Sequence, residues 1–186
     1  MRLFTAVAVE GAPLRGLKGF LAFAQGLNLP IKWVPTDNLH LTLVFLGETR
    51  EDQMTNLKAA LKMATQGTRP LEIEVGGVGA FPNIKNPKTL FANVHAGREE
   101  VTALFQKMTG PLENAGFRME TRKYQPHITL GRFRDESLPP ADWERLQKAC
   151  PPSLDSFLAT KIQLMESRLT PGGSIYKVVE AYSLGI

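Results

Sequence analysis

Two short stretches hold the residues whose types suit chemistry: His40-Leu-Thr42-Leu and His127-Ile-Thr129-Leu. Side chains alternate faces along a strand, so His40 and Thr42 share one face while Leu41 and Leu43 take the other. His127 and Thr129 stand in the same relation to Ile128 and Leu130. Each stretch therefore presents an imidazole and a hydroxyl side by side above an apolar back. Histidine, with an unperturbed pKa of about 6.5, gives or takes a proton near neutrality, and a threonine hydroxyl can donate a hydrogen bond to an anionic oxygen. Two such faces opposed would enclose one small anionic group. A lone His-x-Thr carries little weight, because three-residue patterns arise by chance. The pairing carries it: of three histidines in the chain, two open equivalent apolar strands followed by Thr-Leu, 87 positions apart in 186 residues.

The elements that must position these rows recur. Residues 2–9 (RLFTAVAV) are strand-like, and Pro13 to Gln25 carry Leu14, Leu17, Leu21 and Ala24 at helical spacing. A short strand around Ile31 to Val34 precedes the strand His40 to Leu46, which Gly47 is expected to end. Glu51 to Ala64 reads as a helix, Leu71 to Val78 as a half-buried strand, and Gly79 to Pro87 as a loop. The order then repeats with a strand at Thr89 to His95, a helix from Arg98 to Ala115, a strand near Phe117 to Glu120 and another at His127 to Phe133. A short helix, Trp143 to Ala149, and strands at Ala159 to Ser167 and Ile175 to Tyr182 complete the chain. Laid side by side, 28–44 and 116–131 each run from a helix end through a short strand and a proline turn (Pro35, Pro126) into His-x-Thr-Leu. With no linker between the halves, residues 1–186 are expected to form a single bilobal α+β domain with an internal pseudo-two-fold repeat and a cleft between its lobes.

A hydrophobic fraction of 43% and a charged fraction of 22% are those of an ordinary globular chain, which argues against disorder. No apolar stretch approaches the roughly 20 residues needed to span a bilayer, and the N-terminus lacks a signal peptide's apolar core. A cytoplasmic protein without membrane association is the expectation. The single cysteine, Cys150, can form no internal disulfide and is read as packing. A net charge of +4 favours an anionic partner without demanding one.

The residues HLTLVFLG (40–47) and PHITLGR (126–132) closely resemble the paired His-x-Thr-x motifs of the two-histidine phosphoesterases, and within them the RNA 2′,3′-cyclic phosphodiesterases, formerly called 2′-5′ RNA ligases. The resemblance extends to RLFTAVAV, to Trp33-Val-Pro and Asn38-Leu, and to the closing SRLTPGGSIYKVV. It implies a bilobal, duplicated α+β fold with antiparallel sheets flanked by helices, both motifs on the floor of a basic cleft, and hydrolysis of a 2′,3′-cyclic phosphate to a 2′-phosphate. Opening such a ring needs water deprotonated on one side of phosphorus and the departing 3′-oxygen protonated on the other. By analogy with the family His40 is the proton donor and His127 the acceptor; the residues alone do not distinguish the two. Thr42 and Thr129 are expected to donate to non-bridging phosphate oxygens. The implied partner is RNA with a cyclic phosphate end, fragments of cleaved transfer RNA among them, or a small cyclic nucleotide or ADP-ribose cyclic phosphate. Ligation of 2′-5′ linkages is an implied weak reverse reaction, and a monomer is expected.

Arg132 is a further phosphate-binding candidate, since a guanidinium offers fork-like donors. Strict alternation puts it on the face opposite His127, so a bulge, a twist or reach from the strand end would be required. Phe45, Tyr124 and Tyr176 could stack on a nucleobase, although Phe45 shares its face with Leu41 and Leu43 and is read as core. His95 lacks a threonine two positions on and is read as structural. No cofactor is expected, and no metal, because no histidines or cysteines fall at ligand spacing. The glycines at 76, 77 and 79 and at 172 and 173 lack the Gly-Lys-Ser/Thr ending of a phosphate loop and are read as turns or bulges. A rival reading from another class is a non-catalytic RNA-binding module, against which the presence of both histidines and both threonines argues.

Overall fold

Apolar residues at helical spacing become the buried stripes of four helices in the computed structural model, which describes residues 1–134 and 137–185. These are α1 (Gly11–Gln25), α2 (Met54–Thr65), α3 (Arg98–Asn114) and α4 (Pro140–Ala149). In α1 the stripe is Leu17, Phe20, Leu21 and Ala24; in α3 it is Val101, Leu104, Met108 and Leu112. Nine strands complete the order among the described residues: β1 (Arg2–Ala8), β2 (Ile31–Trp33), β3 (His40–Glu48), β4 (Leu71–Phe81), β5 (Thr89–Val94), β6 (His127–Phe133), β7 (Ser156–Ala159), β8 (Lys161–Thr170) and β9 (Gly173–Ser183).

The strands form one sheet in the order β7-β4-β5-β6-β3-β1-β8-β9, with β2 added to β6, and every pairing between them is antiparallel. The two motif strands lie side by side at its middle. They meet through one ladder pair, Leu41 opposite Ile128. Leu41, Leu43, Ile128 and Leu130 point into the core with the helical stripes, while His40, Thr42, His127 and Thr129 are half-buried on the other face. Hydrophobic burial on one face thus fixes which residues the opposite face presents. Pairs α1 with α4 and α2 with α3 pack against each other, and α1 also lies on β4 and β7.

Several expected boundaries move. Residues 51–53 form a 3-10 turn before α2 begins. The β4 strand runs three residues into the expected loop, and α4 starts at Pro140, where a proline fits the first helical turn. The strand expected from Ala159 divides at Thr160 into β7 and β8, and β3 continues through Gly47 to Glu48. Gly76 and Gly77 do make a bulge against β5, with Gly77 at φ 64°.

One expected element is absent: residues 117–120 form no strand. The reason lies in the strand beside which it would pair. On β6, β2 packs closely because position 131 is glycine; a Cβ there would come within 2.5 Å of Ile31 Cγ2. The corresponding residue of β3 is Val44, which carries a buried side chain where β6 has glycine. Phe117 is anchored in the core, but Arg118 and Glu120 are exposed and the segment runs past β3 as a loop.

Candidate active site

Both motif histidines are pinned in the same way. His40 Nδ1 lies 2.7 Å from the carbonyl oxygen of Asn38, and His127 Nδ1 lies 2.6 Å from that of Gln125. A carbonyl oxygen only accepts, so each Nδ1 carries the hydrogen and each Nε2 lies outside that bond. In the neutral ring Nε2 is a lone-pair acceptor, and in the protonated ring it is a donor. The turns before β3 and β6 therefore set the tautomer of the side chain that follows two residues later. This anchor has a visible trace in the sequence, since both histidines follow a turn by the same interval, but nothing marks a backbone carbonyl as a partner.

Aromatic rings wall each imidazole. His40 lies between Phe4, 5.0 Å away between centroids, and Tyr176, 5.3 Å away and edge-on. His127 meets Phe81 edge-on at 4.8 Å and Phe91 at 5.5 Å. Burial in this setting pushes both imidazoles below the ordinary value of 6.5, against the opposing pull of their carbonyl partners. The charge of His127 lowers His40 further, and the charges of Arg132 and Arg98 lower His127 further. Arg98, at the start of α3, donates through Nε to Val94 O at 3.1 Å; its bearing on His127 is not legible from sequence spacing.

Arg132 reaches the histidine face because β6 is bulged. Phe91 pairs with Thr129 and Leu90 with Gly131, so Leu130 is the extra residue. Leu130 and Gly131 are both buried, and Arg132 and Phe133 are then out of phase with strict alternation. A matching bulge at Leu43 lies in β3, where Ala6 pairs with Thr42 and Thr5 with Val44. There Thr5 Oγ1 accepts the Val44 N–H at 3.1 Å, satisfying a group the bulge would otherwise leave buried and unpaired. The bulge corrects the expectation for Phe45: both Leu43 and Val44 turn inward, and Phe45 stands 64% exposed on the cleft side. It lines a cavity of about 750 Å³ together with Thr42, Phe81, Tyr124 and His127.

Tyr124 is less available for stacking. Its ring lies flat on Phe105 at 4.2 Å, and its hydroxyl donates to Thr42 O at 2.8 Å. Tyr176 is engaged with His40 and Phe4. The third histidine, His95, is exposed with Nε2 3.0 Å from Gly76 O, away from the motif rows. Cys150 is buried, and burial pushes its thiol up to about 11, as suits a packing residue. Among the described residues, no group of three or more His, Cys, Asp or Glu side chains is placed to hold a metal ion, and no helix is long and apolar enough to cross a membrane.

The arrangement resembles known proteins across its whole length. The LigT like phosphoesterase family matches residues 17–91 and 94–176. The RNA 2′,3′-cyclic phosphodiesterase of Archaeoglobus fulgidus is 33% identical over 182 residues, covering 98% of this chain and 99% of that protein. Its namesake from Methanocaldococcus jannaschii is 30% identical over 184 residues, covering 98% and 100%. The crystal structure of TT0787 of Thermus thermophilus superposes with a TM-score of 0.82 at 28% identity, covering 99% of this chain and 98% of that one. That of E. coli LigT complexed with 3′-AMP gives 0.76 at 21% identity, covering 98% and 97%, a likeness of fold. A family match that takes in both histidine motifs, joined to relatives alike from end to end, shows that this chain belongs to the LigT-like phosphoesterases.

Proposed function

We propose that the protein hydrolyses 2′,3′-cyclic phosphates at RNA ends to 2′-phosphates, without metal or cofactor, with His127 taking a proton from water and His40 giving one to the departing 3′-oxygen. The observation that carries this reading is the pair of imidazoles on one sheet face, each anchored through Nδ1 so that Nε2 is the nitrogen left for chemistry. Full-length relatives named RNA 2′,3′-cyclic phosphodiesterase support the substrate class. Fragments of cleaved transfer RNA are a natural source of such ends, and a small cyclic nucleotide is a smaller version of the same substrate. We assign the work to a monomer in the cytoplasm, built as one bilobal domain over residues 1–186. The tandem family matches and the matching bulges of β3 and β6 support an internal repeat.

In this mechanism His127, neutral, takes a proton from water through Nε2 as the water oxygen bonds to phosphorus. The P–O3′ bond breaks, and His40, protonated at Nε2, gives its proton to the departing 3′-oxygen. The products are a 2′-phosphate and a 3′-hydroxyl. General acid and base assistance of this kind contributes about 10²–10⁴-fold. Thr42 and Thr129 donate to the non-bridging oxygens where negative charge builds, and Arg132 adds a guanidinium on the His127 side.

The test is hydrolysis of a short RNA ending in a 2′,3′-cyclic phosphate, in excess EDTA, by the intact protein and by His40→Ala and His127→Ala. Release of a 2′-phosphate by the intact protein and its loss in both variants is the expected result. Activity that needs a divalent ion, or that survives either substitution, would refute the mechanism.

A further inference from the structure

The two rows of histidine and threonine are alike, but their flanks differ. Beside β6 the sheet is completed by β2, where Ile31, Lys32 and Trp33 pair with Phe133, Arg132 and Gly131. The next residue, Val34, donates its N–H to Leu130 O at 2.9 Å. The far side of His40 is covered too: Tyr176 of β9 lies against its ring, and Asn38 Nδ2 donates to Ser174 O at 2.8 Å, tying the turn before β3 to that strand. Along Thr42–Phe45 β3 pairs with β1 on one side, and on the side toward β6 no strand is added among the described residues. The 750 Å³ cavity opens there instead, within the range of about 300–1,000 Å³ common to small-ligand clefts. His127 is among its lining residues and His40 is not.

We infer that this cavity receives the 3′-terminal nucleoside and the phosphodiester before it, so that RNA reaches the histidines from the side of residues 120–125 alone. The inference rests on the cyclic-phosphate reading above. Its chemistry is that of a single-strand track, in which aromatic faces take bases and cations follow the backbone. Phe45, exposed on the cavity wall, supplies the face for the terminal base. Arg122 and Lys123 line the outer part and supply the cations. Arg122 is held only loosely by Glu120, 4.0 Å away with both side chains largely exposed, a pair that a phosphate can displace. Lys32, whose ladder partner is Arg132, sits on the closed flank of the same face, where RNA would run if it entered from the other side.

The experiment compares two substrates, a short RNA ending in a 2′,3′-cyclic phosphate and cytidine 2′,3′-cyclic phosphate, the second having no upstream phosphate. In the double variant Arg122→Ala, Lys123→Ala, kcat/KM for the RNA should fall about tenfold through KM, while that for the mononucleotide stays within about twofold. Phe45→Ala should raise KM for both substrates, and Lys32→Ala should leave both unchanged. An equal loss on both substrates in the double variant, or a loss specific to RNA in Lys32→Ala, overturns the inference. Turnover of both substrates with RNA indifferent to Arg122 and Lys123 removes the track and leaves the proposed activity standing. No turnover of either substrate by the intact protein removes the activity and the track together.

Discussion

Leu41 and Ile128 face one another across the seam between the two motif strands, their side chains in the core. Antiparallel counting outward from that pair sets His40 across from Thr129 and Thr42 across from His127. Each imidazole therefore has the hydroxyl of the other motif as its cross-strand neighbour, as well as its own two residues along. A phosphate held over the seam would meet donors from both strands.

Thr42→Val and Thr129→Val keep the strand preference and remove a donor each. Each should lower kcat on a cyclic phosphate substrate by up to about 3 kcal/mol of transition-state stabilisation, with the melting temperature little changed. Turnover unchanged in the pair together would show that the hydroxyls do not touch the phosphate.

The pH profile should follow from the depressed imidazoles. Both lie below 6.5 chiefly through burial. The acid must be protonated and the base neutral, so kcat/KM should be bell-shaped in pH, its two limbs belonging to the histidine pair and its maximum on the acid side of the ordinary histidine range. Arg132→Gln removes a positive charge that helps hold His127 down; His127 should then bind its proton more readily, and the limb that His127 sets should move to higher pH. A pH profile in which neither limb moves, measured with cytidine 2′,3′-cyclic phosphate, would mean that Arg132 does not act on the base.

Tyr124→Phe retains the stack on Phe105 and deletes the hydrogen bond to Thr42 O. The loss of a buried bond should cost about 1–2 kcal/mol in denaturant unfolding. Because that bond fixes the backbone of one motif from the segment leading into the other, kcat should fall with KM nearly constant. A change in KM alone would make Tyr124 a substrate contact instead.

Gly131→Ala places a Cβ 2.5 Å from Ile31 Cγ2 and 3.2 Å from Lys32 O. Overpacking of this kind commonly costs about 1–3 kcal/mol. The midpoint of unfolding should drop accordingly, and an unchanged midpoint would show that β2 can shift at no cost.

The motif strands are legible because hydrophobic alternation and a shared His-x-Thr-Leu pattern specify both the element and its exposed face. What alternation does not convey is a change of phase. The bulges at Leu43 and Leu130 carry Phe45 to the cleft and Arg132 to the histidine face, yet neither position looks irregular in a run of apolar residues. The bulge in β3 depends on Thr5, a residue of another strand 39 positions away. Residues 117–120 illustrate the converse. Their local pattern suits a strand, but the strand they would flank has valine at 44 where β6 has the glycine at 131 that lets β2 come close. Arg98 is invisible in the sequence for a similar reason, since only the packing of α3 beside the sheet brings its charge to bear on His127.

The seam between β3 and β6 is joined by little backbone hydrogen bonding, yet the chain crosses it twice by other routes. Strand β2, which precedes β3, is stitched to β6, and α1, which follows β1, rests on β4 and β7. The β3 side of the seam thus lends the β6 side a strand and a helix that it does not supply for itself. A polypeptide severed near residue 96 would leave two fragments with exposed apolar scars rather than two small folded proteins, and their recovery of a working site would depend on finding each other again.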